Sequence, residues 1–119
     1  MTPSTREHYH AVVVTPKGEF FGSLQGVTFN ETVQSLRQEG KHNLVVDLGE
    51  TTLMDSSGIG VLLSTADALR QEGGDLRLAR VEEKMRNLFL MTRLLGEVFT
   101  LHRTVKDAVD SFALEPAMA

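Results

Sequence analysis

One short segment, Asp55-Ser56-Ser57-Gly58, combines residue types that could do chemistry, because a carboxylate and two hydroxyls stand side by side. A serine hydroxyl in this position could act as a catalytic nucleophile or accept a phosphate from a kinase. The free amides of a helix start could also hold a phosphate group. A structural explanation competes with these, since serine is a favoured N-cap residue and Ser57 precedes an apolar helical pattern. The spacing alone leaves these interpretations open.

The catalytic interpretation needs a base and the spacing of a hydrolase, and the sequence supports neither well. A hydrolase elbow reads Gly-x-Ser-x-Gly, whereas Met54 lies two residues before Ser56. None of the histidines follows an obvious acid in the triad order expected of such a fold, although His102 could reach the segment in principle. These departures disfavour a serine hydrolase.

Nucleotide-binding and receiver-type interpretations are also poorly supported. Gly58 and Gly60 match only a fragment of the pattern Gly-x-Gly-x-x-Gly, because Leu63 stands where the third glycine belongs. Asp47 and Asp55 lack the acid pair that accompanies a phospho-acceptor aspartate. Glycine costs roughly 1 kcal/mol relative to alanine inside a helix. Both glycines therefore indicate either close backbone packing or access for a partner molecule.

Composition narrows the classes of function. The chain has 119 residues, which fits one domain over residues 1–119. Its formal net charge of -4 argues against direct nucleic-acid binding, because neutralising phosphates requires a basic patch. The absence of cysteine excludes disulfides and thiolate metal sites. The apolar runs are too short for membrane insertion and the N-terminal residues lack the pattern of a signal peptide, so we expect a cytoplasmic protein.

Hydrophobic periodicity predicts the elements that position the serines. Strands are predicted over residues 10–15, 17–22, 43–48, 75–80 and 97–101. Helices are predicted from a capping box at Thr28 to Gly40, from near Ser57 to Gly73, from Val81 to near Gly96, and from Thr104 onward. This alternation predicts an α/β domain with a largely parallel sheet. The serines then follow a buried strand, at the sheet edge where functional groups gather.

The order of these features resembles the STAS domain of bacterial anti-sigma factor antagonists. The resemblance is carried by the segments LVVDL, DSSGIG, GGDLRLARV and MRNLF, and upstream by Gly18-Glu19-Phe20. It covers nearly the whole chain, from about residue 10 to residue 113. The STAS fold that it implies is α/β, a small mixed, largely parallel β-sheet packed against helices.

The resemblance also implies a function, partner switching, without catalysis and without a cofactor or metal. The unphosphorylated protein would bind an anti-sigma factor that is also a serine-protein kinase, and would so release a sigma factor. In phosphorylated members, the serine after the aspartate accepts the phosphate, which is Ser56 here, with Ser57 as the alternative. Phosphorylation would end binding, and a PP2C-type phosphatase would reset the switch. The implied partner-binding residues are Asp55, Ser56, Ser57, Gly58, Ile59 and Gly60.

One position departs from the family pattern. The family commonly has an acid after its Gly-Glu-hydrophobic element, where this chain has Phe21. This change alters part of the expected partner surface. It keeps open a second function, that of a non-switching STAS scaffold or an accessory subunit of a sensory or transport complex.

Overall fold

The computed structural model describes residues 3–22, 25–83, 85–87 and 99–113. Its strands are β1 (Ser4–Glu7), β2 (Val12–Thr15), β3 (Gly18–Phe20), β4 (Asn43–Asp47), β5 (Thr51–Met54), β6 (Asp75–Ala79) and β7 (Leu101–His102). Its helices are α1 (Gln25–Gln38), α2 (Ser56–Gln71) and α3 (Val105–Ala113). Among the described residues, no helix is long and apolar enough to cross a membrane.

The main sheet is mixed and largely parallel, which confirms the predicted fold class. Within the described ranges its strand order is β1-β2-β4-β6-β7. Strands β2, β4, β6 and β7 pair in parallel, and β1 adds to one edge as an antiparallel partner of β2. The predicted strands at 43–48 and 75–80 agree with β4 and β6 to within one residue.

Helices cover both faces of this sheet. Val12 and Val14 of β2 join a large apolar cluster with residues of α1 and α2, whereas Val13 joins a smaller cluster with α3. Successive side chains of a strand point to opposite faces, so the two clusters lie on opposite sides of the sheet. The continuous apolar runs of the central strands are explained by this double cover.

One of the two charged residues of β6, Arg77, differs from our expectation for that strand. The alternation in 75–80 predicts a solvated face, but the structure buries Arg77 to 6% exposure. Its guanidinium carbon lies 4.0 Å from the ring centre of Phe112, and its Nη1 donates to Ser111 Oγ at 2.7 Å. Its Nε also lies 3.2 Å from Asp75 Oδ2. Helix α3 covers this face, and Arg77 binds that helix to the sheet.

A second, smaller sheet was not predicted as such. Residues 51–54 are not among the predicted strands, but they form β5, which pairs in parallel with β3. The segment 17–22 is therefore a strand at Gly18–Phe20, but it pairs with β5 and not with β2 as a hairpin would. The β3–β5 pair leads directly into α2, and so it sets where the two serines lie.

The first helix begins earlier than the capping box predicts. Helix α1 starts at Gln25, so Thr28 lies inside it and its hydroxyl donates to the Gln25 carbonyl. The Gln25 side chain instead accepts from the Phe21 amide, and the Gly26 amide donates to the Phe21 carbonyl. These hydrogen bonds stabilise the start of α1, which lies three residues upstream of the predicted position.

The last predicted elements are described only in part. Residues 83 and 85–87 are helical, as predicted, but residues 81 and 82, where the helix was expected to begin, are not. Residue 84 and the remainder of the expected helix up to Gly96 lie outside the described residues. Of the strand expected at 97–101, residues 97 and 98 lie outside the described residues, and β7 overlaps it only at Leu101 before ending at His102. Phe99 is buried before β7. Thr104 caps α3 as predicted, because its Oγ1 accepts from the Asp107 amide at 3.0 Å.

Candidate functional site

The start of α2 is capped by Asp55 and not by Ser57. The Asp55 carboxylate accepts a hydrogen bond from the Gly58 amide at 2.9 Å, which is the geometry of an N-cap. The prediction that Ser57 is the cap is therefore wrong. The helix begins at Ser56, so the residue in the capping position is the aspartate immediately before it.

Ser57 has a structural role of another kind. Its hydroxyl donates to Asp55 Oδ1 at 2.6 Å and accepts from the Gly22 amide at 2.9 Å. A Cβ at Gly22 would lie 2.8 Å from the Ser57 carbonyl oxygen and 2.9 Å from its Cβ, so the two segments are in close contact. The Ser57 hydroxyl therefore links the end of the β3 region to the start of α2.

Ser56 is available for chemistry. It is the first residue of α2 and is exposed to solvent. In the described part of the chain its hydroxyl makes no hydrogen bond, in contrast to the hydroxyl of Ser57. Among those residues, no histidine bonds to either serine, and the carboxylate of Asp55 accepts from Ser57 alone of the two hydroxyls. The sequence alone could not distinguish the two serines, but their hydrogen bonding in the fold differs.

Asp55 is held in its charged form. The hydroxyl of Ser57, and next the amide of Gly58, donate to the carboxylate and lower the pKa of Asp55 below its usual value. At neutral pH the residue next to Ser56 therefore carries a full negative charge, although the helix N-terminus partly offsets it.

The lowered pKa of Asp55 predicts a pH-dependent contribution to stability. The ionised carboxylate stabilises the fold above its unfolded pKa of about 3.9, and this contribution disappears as the pH falls through the lower folded value. Asparagine caps helices as well but does not titrate. We expect the difference in unfolding free energy between the wild type and Asp55→Asn to shrink as the pH falls below about 4. Urea denaturation across this range measures it, and a constant difference would contradict the assignment.

The other predicted partner-binding residues lie at different depths. Gly58 is buried, and a Cβ there would collide with the carbonyl oxygen of Phe20. The Ile59 side chain belongs to the main core, with 3% exposure. Gly60 is exposed, and a Cβ at that position would meet nothing within 4 Å. Of this group, Gly60 faces solvent together with Asp55 and the two serines.

Sequence reasoning missed two exposed apolar side chains. Leu53 of β5 is 43% exposed and Val27 of α1 is 49% exposed. Leu53 lies two residues before Asp55 and pairs with Glu19 across the β3–β5 sheet. The buried and exposed residues of β5 do not alternate, so hydrophobic periodicity gives no signal for Leu53. Phe21, the position that departs from the family pattern, is half-buried.

Comparisons with known proteins agree with this architecture. The model of the STAS domain family matches residues 2–108. An anti-sigma-B factor antagonist from Staphylococcus epidermidis is 38% identical over 64 residues, which is 54% of this chain and 59% of that protein. The same kind of protein from Staphylococcus aureus is 33% identical over the same shares. The match therefore spans less than two thirds of the length of these curated relatives.

Solved structures share the fold at low sequence identity. The crystal structure of an anti-sigma factor antagonist from Mycobacterium paratuberculosis has a TM-score of 0.79 at 22% identity, covering 94% of this chain and 93% of that one. The phosphorylated form of the Bacillus cell fate determinant SpoIIAA has a TM-score of 0.70 at 20% identity, covering 92% and 98%. With the match of the family model over nearly its whole length, this chain belongs to the STAS domain family.

Proposed function

We propose that this protein is an anti-sigma factor antagonist that is switched by phosphorylation of Ser56. In its unphosphorylated form it binds an anti-sigma factor, which is also its serine-protein kinase, and this binding frees a sigma factor. A PP2C-type phosphatase restores the unphosphorylated form. The observation that carries the proposal is that the Ser56 hydroxyl at the first position of α2, next to Asp55, is exposed and has no hydrogen bond to any described residue. This STAS domain acts in the cytoplasm by binding its partners, without catalysis of its own.

The local geometry supports a switch that does not require unfolding. A phosphate adds about -1.5 to -2 charge at pH 7. On Ser56 it would lie at the positive end of the α2 dipole, which stabilises an anion and keeps the helix start intact. A partner docked over this surface would instead face a new charge beside the ionised Asp55. Repulsion and the cost of desolvating the phosphate then weaken the complex while the fold persists.

The relatives support the same function. The staphylococcal relatives are anti-sigma-B factor antagonists, and SpoIIAA, whose fold this chain shares, is an anti-sigma factor antagonist whose structure is known in both phosphorylated and unphosphorylated forms. The exposed side chain of Leu53 and the open surface at Gly60 flank the switch along the chain. We propose that they extend the docking surface, with Leu53 as its apolar contact.

Phosphorylation by the cognate anti-sigma factor kinase tests the residue assignment. We expect the kinase and ATP to add one phosphate to the wild type, and we expect Ser56→Ala to abolish the modification. Ser57→Ala is the matched control, because it removes an adjacent hydroxyl that already donates one hydrogen bond and accepts another. It should still be phosphorylated, with a loss of about 1–2 kcal/mol of stability from its two hydrogen bonds. Intact-mass and fragment mass spectrometry measure both results.

The opposite pattern would reject Ser56 as the acceptor. Phosphate on Ser57 in the wild type, or unchanged phosphorylation of Ser56→Ala, would assign the switch to another hydroxyl.

Phe21 favours a second candidate function, because it replaces the acid that the family commonly has there. A non-switching STAS scaffold, or an accessory subunit of a sensory or transport complex, would bind a different partner. A pull-down from the native cell with wild type and Ser56→Asp separates the two functions. The switch predicts that Ser56→Asp loses its main partner, whereas the scaffold predicts that both forms retain the same one.

A further inference from the structure

A cleft at the carboxyl ends of β6 and β7 lies among the described residues and concentrates positive charge. It has a volume of about 340 Å³ and is lined by Arg80, Val81, Arg86, Leu101, His102 and Arg103. The chain as a whole has a formal net charge of -4, with 12 lysines and arginines in total. Three arginines around one cleft are therefore a local exception to an acidic protein. Guanidinium groups match the geometry of phosphate oxygens and often bind them in pairs.

Arg80 is fixed in place at this cleft. Its Nε and Nη2 donate to the two carboxylate oxygens of Asp47 at 2.8 and 3.0 Å. A Cβ at Gly49 would collide with the guanidinium, so the glycine leaves the room that this arrangement needs. The backbone of Arg80 has a φ of 55°, which is uncommon for a residue other than glycine and is found at functional sites. Among the described residues, the ion pair leaves the Nη1 group of Arg80 without an acceptor.

Arg86 and Arg103 differ from Arg80, whose guanidinium is held by an ion pair. Both are exposed, and within the described ranges neither side chain has a carboxylate partner. The charge of Asp47 offsets only one of the three guanidinium groups of the cleft. The charge of Glu50 also acts on Arg80, and that of Asp107 on His102. None of the described residues that line the cleft is acidic, so the lining itself is positively charged.

His102 adds a polar group that lacks a partner. Its Nε2 is buried without a hydrogen bond in the part of the chain that the structure describes. Burial lowers the pKa of His102, and the nearby charge of Arg77 lowers it further, so the ring is neutral at pH 7. A buried polar atom without a partner costs free energy, which a bound acceptor would recover.

We propose that this cleft binds a small phosphate dianion, either free phosphate or the phosphate group of a small metabolite. The volume lies at the low end of the range for small-molecule sites, about 300–1,000 Å³, which fits a ligand no larger than a mononucleotide. Its position agrees with the rule that ligands of α/β sheets bind at the carboxyl ends of strands. The site is separate from Ser56, and it does not depend on the phosphorylation switch.

Calorimetric titration at low salt with inorganic phosphate and with adenosine 5′-monophosphate tests this site. We expect both to bind the wild type, and we expect the double variant Arg86→Gln/Arg103→Gln to bind at least about tenfold more weakly, from the loss of charge-assisted hydrogen bonds. These substitutions leave the Arg80–Asp47 pair intact. Lys41→Gln is the control, because it removes a positive charge that pairs with Glu7 instead of lining the cleft.

The two probes also distinguish the source of the phosphate. Tighter binding of the nucleotide than of phosphate would identify a phosphorylated metabolite, and equal affinities would identify free phosphate. Amide shifts in an NMR titration should centre on residues 80 and 101–103. Failure of both probes to bind, or an equal loss of affinity in Lys41→Gln, would overturn the proposal.

Discussion

Replacing Gly58 by alanine should destabilise the protein by about 2 kcal/mol or more, although alanine is the better helix former. A Cβ at Gly58 would collide with the carbonyl oxygen of Phe20 and lie 2.9 Å from Cδ1 of that ring and from Cγ of Met54. The carbonyl belongs to the backbone of β3, so it cannot rotate away as a flexible side chain would. Either β3 or the start of α2 must shift, and the β3–β5 sheet is disturbed with it.

Gly60→Ala is the matched control, because it makes the same change two residues later in the same helix. A Cβ there meets nothing within 4 Å, so the substitution should stabilise the protein by about 0.5–1 kcal/mol through helix propensity alone. Urea unfolding monitored by circular dichroism gives both values. Equal effects in the two variants would show that packing against Phe20 is not what requires Gly58.

The opposite effects on stability expected for Gly58→Ala and Gly60→Ala indicate that the chain needs these two glycines for different reasons. Gly58 is explained by close packing, because β3 crosses directly over the start of α2. Gly60 has no such explanation in the fold, and it is exposed. Under the proposed function, its role is to let the partner approach the helix. Gly60→Ala should then weaken binding of the anti-sigma factor while it stabilises the free protein.

The parts of the fold that the sequence predicts are those with strong apolar patterns. Strand β4 reads as a continuous apolar run because helices cover both of its faces, and α2 has an unbroken helical stripe that ends at Gly73. Strand β1 escapes prediction because all of its side chains, Ser4–Glu7, are exposed. Its position depends on hydrogen bonds to β2, which leave no trace in hydropathy. Strand β5 is short, and only its first and last residues are buried.

At the site, too, the sequence pattern predicts some features, and only the geometry of the fold decides the others. The motif locates the helix start, and the sequence favoured Ser57 as its cap because serine is a good cap residue. Aspartate caps helices as well, and in the fold Asp55 takes that position. The choice depends on Gly22, which is distant in the chain and binds the Ser57 hydroxyl in the fold. The arginine cleft could not be predicted either, because its members come from two segments that meet only when β6 and β7 pair.

Under the proposed function, Ser56→Asp should weaken binding of the cognate anti-sigma factor by about a hundredfold. Like charges brought together in an interface cost several kcal/mol, and about 2.7 kcal/mol corresponds to a hundredfold change in Kd. The lowered pKa of Asp55 keeps its charge in place, so the new carboxylate adds to an existing one. The variant itself should remain as stable as the wild type, because acidic residues are favoured in the first turn of a helix. Surface plasmon resonance and thermal unfolding separate these two effects.

Ser64→Asp provides the control for charge alone, since Ser64 is exposed on the same helix eight residues later. At a rise of 1.5 Å per residue it lies about 12 Å from Ser56 along the axis, which exceeds the screening length of about 8 Å at physiological salt. It should leave affinity nearly unchanged. If Ser64→Asp weakens binding as much as Ser56→Asp does, the net charge of the protein and not the position of the phosphate governs the complex. If neither variant affects binding, the surface at the start of α2 is not where the partner docks, and the switch must lie elsewhere.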